Sequence, residues 1–166
     1  MQLMYRLSIT AAKTSLDLSS AYFVPDDMTT GVLANALKRV VKIRIITPGE
    51  IINTDTVRAA SRGNWEPLLE AGTEIYKYQP SMYYCKVMII DTLLVSVGSI
   101  NFDNRAFRLN DEINLNVYGT KFAKRPTNIF EEDLKNAREI TFQACVECPE
   151  KEKLMERLAL LLRLQM

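Results

Sequence analysis

YYCKVMIIDTLLVSVGSIN, residues 83–101, carries the pattern that decides the architecture. Two runs rich in aliphatic and β-branched residues, CKVMIID and LLVSVGS, are separated by a tight turn near Asp91-Thr92, so both are predicted as strands. Upstream, TEIYKY is a further strand ended by Gln79-Pro80, and VKIRIITP alternates before closing at Pro48-Gly49. LDLSSAYF is a short strand ending at Val24-Pro25, and downstream EINLNVY is the next one.

Helices fill the intervals. Leu3, Leu7, Ala11 and Leu16 fall near helical spacing, which predicts a helix over residues 3–16. PDDMTTGVLANALKRV opens with proline and two acids, favourable at a helix N-terminus. Thr54 to Ala71 reads as helix interrupted near Gly63 and Pro67, with Gly72 as its stop. From about Pro126 onward Ile129, Phe130, Leu134 and Ala137 recur at helical spacing, and KEKLMERLALLLRLQM forms an amphipathic C-terminal helix over 150–166. Helices and strands alternate first and then give way to consecutive strands. The expected class is therefore α/β, a mixed sheet flanked by helices on both faces, in a single domain over 1–166.

Composition narrows the function. Lys and Arg number 21 against 20 Asp and Glu, a net charge of +1 that argues against a nucleic-acid substrate. No run of 18 apolar residues exists to span a bilayer, and MQLMYRLSITAAKTSL is too polar for a signal peptide, which places the chain on the cytoplasmic side. Cys145 and Cys148 form a CxxC, but with one other cysteine and no histidine they do not make a zinc site, and no metal or other cofactor is expected. On the C-terminal helix Leu154, Leu158, Leu161 and Leu162 share one side, with Lys151, Lys153, Arg157 and Arg163 elsewhere. Such a stripe packs on its own domain or rests peripherally on an anionic membrane surface.

The chemistry concentrates between positions 84 and 112. Phosphoryl transfer from a diester needs a nucleophile, an acid for the leaving alcohol, and cations or donors around the phosphoryl oxygens. Lys86 supplies a cation, Ser99 and Asn101 follow a strand end as neutral donors, and Glu112 is a carboxylate of the kind that orients an imidazole. Yet the chain has no histidine, and Tyr84 stands two residues before Lys86.

Taken together, YCKVMIID and GSINFDNRAFRLNDEINL resemble the phospholipase D superfamily, whose signature is H-x-K-x4-D followed by G-S-x-N and a later acid. SVGSINFDNRAFRLNDEINLNVY is similar to the second half of bacterial cardiolipin synthases, and AYFVPDD, ITPGE and FEEDL extend the likeness over nearly the whole chain. The resemblance implies that Lys86 and Asn101 grip a phosphate and that Ser99 donates to it or supports the loop. It implies that Glu112 faces the ring at position 84 and that Asp91 ties down the strand turn. In that family two such motifs meet at one site: one histidine attacks phosphorus, the other protonates the leaving alcohol, and no metal is needed. The implied substrate is a phospholipid or other phosphodiester, at the inner face of a bacterial membrane, and a missing N-terminal half or a second copy would complete the site.

This sequence departs from the pattern by having one half-motif, with Tyr84 at the histidine position. A phenol titrates near 10, so roughly one in a thousand is ionised at neutral pH. Its oxygen also sits farther from the backbone than an imidazole nitrogen, and a misplacement of about 1 Å can cost on the order of a hundredfold in rate. We therefore expect Tyr84 to fill the imidazole space and share a hydrogen bond with Glu112, leaving the isolated chain inactive or nearly so. The alternatives are a degenerate module that binds phosphate or phospholipid headgroups, and a homodimeric single-motif phosphodiesterase.

Overall fold

The computed structural model describes residues 2–49, 65–103 and 111–146. Strands β1 (Ser15–Ser20), β3 (Lys42–Pro48), β4 (Glu74–Tyr78), β5 (Lys86–Ile90), β6 (Leu94–Gly98), β8 (Asn114–Tyr118) and β9 (Ala137–Ile140) form one sheet in the order β8-β6-β5-β1-β3-β4-β9. β1, β3 and β4 run parallel, and β5, β6, β8 and β9 each pair antiparallel with their neighbours, so the sheet is mixed. Two short strands, β2 (Phe23–Val24) and β7 (Phe102–Asp103), pair parallel beside it.

Helices α1 (Gln2–Ala11), α2 (Asp27–Lys38) and α3 (Glu66–Glu70) cover one face. Tyr5, Ile9, Leu33 and Leu68 pack there on Leu16, Leu18, Ile43, Ile45, Ile75, Met88 and Ile90, the residues that alternation turns to that side. Helix α4 (Thr120–Lys135) covers the other face, setting Ala123 and Phe130 against Ile46, Ile89 and Val95. A short helix, α5 (Phe142–Val146), ends the described chain.

An ion network fastens α4 to the sheet. Arg44 donates through Nε to Asp17 Oδ1 at 2.7 Å and through Nη2 to Asp17 Oδ2 at 2.8 Å, and Nη2 also lies 2.7 Å from Glu131 Oε1 on α4. Its guanidinium sits 5.1 Å from the centroid of the Phe130 ring. Burial works against this charge, but the hydrogen bonds and charges of Asp17 and Glu131 prevail and push its pKa further up, so Arg44 stays protonated.

The first helix ends at Ala11, short of the predicted Leu16, which belongs to β1. The cause lies far along the chain. The Asp91 carboxylate accepts from the Lys13, Thr14 and Ser15 amides and from Thr14 Oγ1, drawing this segment out of the helix. Helix α4 begins at Thr120, before the predicted Pro126, which lies inside it. Pro67 stands at the start of α3 and Gly72, at φ +98°, follows its end. Residues 54–64 and the predicted C-terminal helix over 150–166 lie outside the described residues. Ala137, expected on the same helix as Pro126, opens β9 instead, LDLSSAYF divides into β1 and β2, and β7 was not expected from the sequence.

Candidate functional site

Register brings four buried polar side chains into one row across the sheet. Ser20 of β1 pairs with Lys86 of β5, and Thr47 of β3 pairs with Lys77 of β4. The β1–β3 register, which ends at Ser19 opposite Ile46, carries Ser20 level with Thr47. All four are buried, with Lys77 5% and Lys86 8% exposed, whereas the preceding inward row of Met88, Leu18, Ile45 and Ile75 is apolar. The core therefore stops at the carboxyl ends of β1, β3 and β4, and a polar floor begins.

Of the residues read from the sequence, Tyr84 and Lys86 come together. The Lys86 ammonium lies 3.4 Å from the centroid of the Tyr84 ring, while the ring itself is 62% exposed. Tyr84 thus lies over the cation rather than being enclosed in a pocket of its own. A buried lysine beneath an aromatic face is held by cation–π attraction and by its packed methylene stem.

Asn101 approaches from the other side of Ser20. The next residue, Phe102, has its amide 3.1 Å from Tyr22 O and 3.3 Å from Ser20 Oγ, and Ser20 Oγ in turn donates to Tyr22 O at 2.6 Å. Asn101 Oδ1 is buried and has no hydrogen-bond partner among the described residues. An orphaned buried acceptor is uncommon.

Ser99 is engaged by the strand that follows. The Ile113 amide donates to Ser99 Oγ at 3.0 Å, and the Ser99 amide donates to Ile113 O at 3.0 Å. Gly98 permits this closeness, because a side chain there would collide with Ile113 O and with Asn114. Half-buried Glu112 precedes Ile113 and so stands beside Ser99. Asp91 lies at the far end of β5, five residues and about 16 Å along an extended chain from Lys86. It belongs to the turn: its partial burial resists ionisation, but the hydrogen bonds from Ser15, Thr14 and Lys13 outweigh this and hold its carboxyl below the usual range.

Three members of the row, Ser20, Thr47 and Lys77, were missed in the sequence, as was Asn114. Asn114 clamps the site's frame by donating to Tyr5 Oη at 2.7 Å and Ser96 Oγ at 3.0 Å. On the opposite face, Tyr83 Oη donates to Asp133 Oδ2 at 2.8 Å and lies 2.9 Å from Ser19 Oγ. Burial pushes the Tyr83 phenol and the Cys85 thiol up, so neither is a ready nucleophile. Cys145 is half-buried, and Cys148 lies outside the described residues. Among the described residues no helix is long and apolar enough to cross a membrane.

Comparison with known proteins bears on the family and the fold. The family model described as "Cardiolipin synthase, PLD-like domain" matches residues 5–134. A cardiolipin synthase of Geobacillus sp. (strain WCH70) is 36% identical over 159 residues, covering 96% of this chain and 32% of the relative. Cardiolipin synthase 2 of Bacillus anthracis is 34% identical over 137 residues, 82% of this chain and 26% of the relative. The chain thus spans about a third of the length of these curated relatives. Among solved structures, the phospholipase D family member Nuc from Salmonella typhimurium superposes with a TM-score of 0.75 at 22% identity, covering 84% of this chain and 90% of that one. Phosphatidylserine synthase of Haemophilus influenzae also gives 0.75, at 16% identity, over 95% of this chain and 42% of that one. With a family model spanning six of the sheet's seven strands, the buried row and the GSIN segment, the chain belongs to the cardiolipin synthase, phospholipase D-like domain family.

Proposed function

We infer that this chain is the phosphate-holding half of a cardiolipin synthase-like phosphatidyltransferase, and that it needs a second half to work. The observation that supports it is the Lys86 ammonium, buried in a polar row at the strand ends with Tyr84 over it. Lys86 neutralises phosphoryl oxygens as a point charge. In this reading Asn101 and Ser99 serve the same phosphate, Glu112 orients the incoming imidazole, and the substrate class is a phospholipid or other phosphodiester. Attack on phosphorus and protonation of the leaving alcohol require a histidine from elsewhere, since the chain has none. The partner is a further phospholipase D-like half that supplies the histidine, since a second copy of this chain would bring none, and the two work at the inner face of a bacterial membrane. The isolated chain then binds the phosphate group and does not turn it over.

The test is Tyr84→His, assayed on a chromogenic phosphodiester across a concentration series, with acid-labile phosphohistidine trapped by quenching. Where two copies meet, turnover should rise about a hundredfold to ten-thousandfold over the tyrosine form, the contribution of one acid/base group. A dimeric Tyr84→His protein with neither turnover nor adduct would defeat the reading. Its second form, a headgroup-binding module without catalysis, is favoured by the tyrosine itself, because a ring over Lys86 leaves the cation in place while removing the nucleophile.

A further inference from the structure

The face of the sheet opposite Lys86 carries a separate cavity of about 530 Å³ between the sheet and α4. Val87, Val95 and Val97 form its floor, and Phe122, Ile129 and Phe130 of α4 form its wall. Its volume and apolar lining with a few polar groups match a site for a small ligand. Phe122 and Ile129 are exposed at its mouth, 43% and 52%, so this apolar opening faces water. Alternation separates it from the phosphate site: Cys85 and Val87 point into it, Tyr84 and Lys86 away from it.

The charges on α4 supply a second, independent observation. The helix carries Lys121, Lys124 and Arg125 in its first half and Glu131, Glu132 and Asp133 towards its end, the reverse of what a helix dipole favours. Each acid has a partner that accounts for it, respectively Arg44, Lys135 and Tyr83. The three cations have no ion pair or side-chain hydrogen bond among the described residues, and Lys121 and Arg125 both line the cavity. They stand at the end where Gly119 turns into the helix, and Asp133 stands at the other. That interval is about 18 Å at 1.5 Å per residue, long enough for an extended alkyl chain.

We propose that this groove binds the alkyl chain of an anionic amphiphile, with Lys121 and Arg125 holding its head group. The charge complementarity selects the ligand: an apolar slot alone takes any hydrocarbon, whereas two exposed cations at one end, without an ion pair among the described residues, favour an anion there. Two sources share this chemistry, a free fatty acid and an anionic phospholipid.

Calorimetric titration of the full chain with palmitate, and flotation with phosphatidylglycerol vesicles against phosphatidylcholine vesicles, separates the two. One palmitate per chain is expected for a free acid, and binding confined to the anionic vesicles for a phospholipid. In either arm Lys121→Glu with Arg125→Glu should weaken binding tenfold or more, and Val97→Phe should abolish it by filling the floor. Ile129→Asp, at an exposed position where folding tolerates the change, should weaken it as well, with circular dichroism confirming the fold of each variant. Binding of an uncharged alkyl glucoside as tight as that of palmitate would overturn the proposal. So would affinities unmoved by all these variants, or sedimentation showing that the groove is closed by a second copy and takes neither ligand. Each groove variant should still bind inorganic phosphate as the parent does, which keeps this result distinct from failure of the phosphate site.

Discussion

Replacing Tyr84 by alanine should make the chain bind inorganic phosphate more tightly. The Lys86 ammonium is 3.4 Å from the ring centroid, and an anion reaching it must displace the ring or share the cation with it. A cation–π contact of this kind contributes about 0.5 to 2 kcal/mol, which the anion loses when it competes. Removing the ring therefore tightens phosphate by about twofold to thirtyfold, at a tenfold change per 1.4 kcal/mol. The readout is calorimetry or phosphorus NMR titration on the parent, Tyr84→Ala, Tyr84→Phe and Lys86→Met forms. Tyr84→Phe keeps the ring and should match the parent, which isolates the ring from the hydroxyl. Lys86→Met should lose the binding. Equal affinity in the alanine and phenylalanine forms, or phosphate binding that survives Lys86→Met, would refute the reasoning.

Three further outcomes follow from the frame of the fold. Arg44→Met strands the Asp17 carboxylate, whose side chain is 3% exposed, and should cost about 3 to 5 kcal/mol in urea unfolding; a loss below about 1 kcal/mol would contradict the network described. Asp91 has a folded-state pKa below its usual 3.8, so its hydrogen bonds stabilise the protein above that pH and are lost as the pH falls through the lower value; Asp91→Asn should flatten the decline in stability on acidification below about pH 4. Val40 closes α2 at φ +64°, with its amide on Leu37 O and the Val41 amide on Ala36 O, a helix stop that suits glycine. Val40→Gly should relieve a left-handed strain of about 1 to 2 kcal/mol, offset in part by backbone entropy, and raise the melting temperature by a few degrees.

The hairpin of β5 and β6 was legible because its alternation is clean and its turn is local. Asp91 and Thr92 take φ +54° and +50°, as a tight hairpin turn requires. What could not be read were contacts between distant segments. Nothing near Lys13 announces that a carboxylate 78 residues away claims its amide, so the first helix was drawn too long. Pro126 looked like a helix start, yet the face formed by Ala123, Phe130 and Leu134 packs well enough on the sheet to carry the helix through it. β9 is missing from the sequence reading because AREI has little alternation and is recruited only by the edge of β4. In the site, motif spacing found Lys86, Ser99, Asn101 and Glu112, but Ser20, Thr47 and Lys77 belong to no local motif. They share a row only once three strands are in register.

That row explains why the site lies where it does. Burying a lysine is unfavourable, and a sheet face otherwise filled by leucine, isoleucine and methionine would be more stable with a further apolar row. Two buried lysines with a serine and a threonine between them are thus a local departure from the rule that shapes the rest of the face. They fall where parallel β1, β3 and β4 end and antiparallel β5 begins, at the reversal of strand order beside β1. Crevices at such reversals, outside the carboxyl ends of strands, are where open α/β sheets bind ligands. The topology concentrates strand ends there, and the sequence places cations at that edge at the expense of stability. The phosphate-holding role proposed above would draw on both the position of this row and its charge, while Lys77 also lies 6.0 Å from the centroid of the Trp65 ring and so has a structural contact of its own.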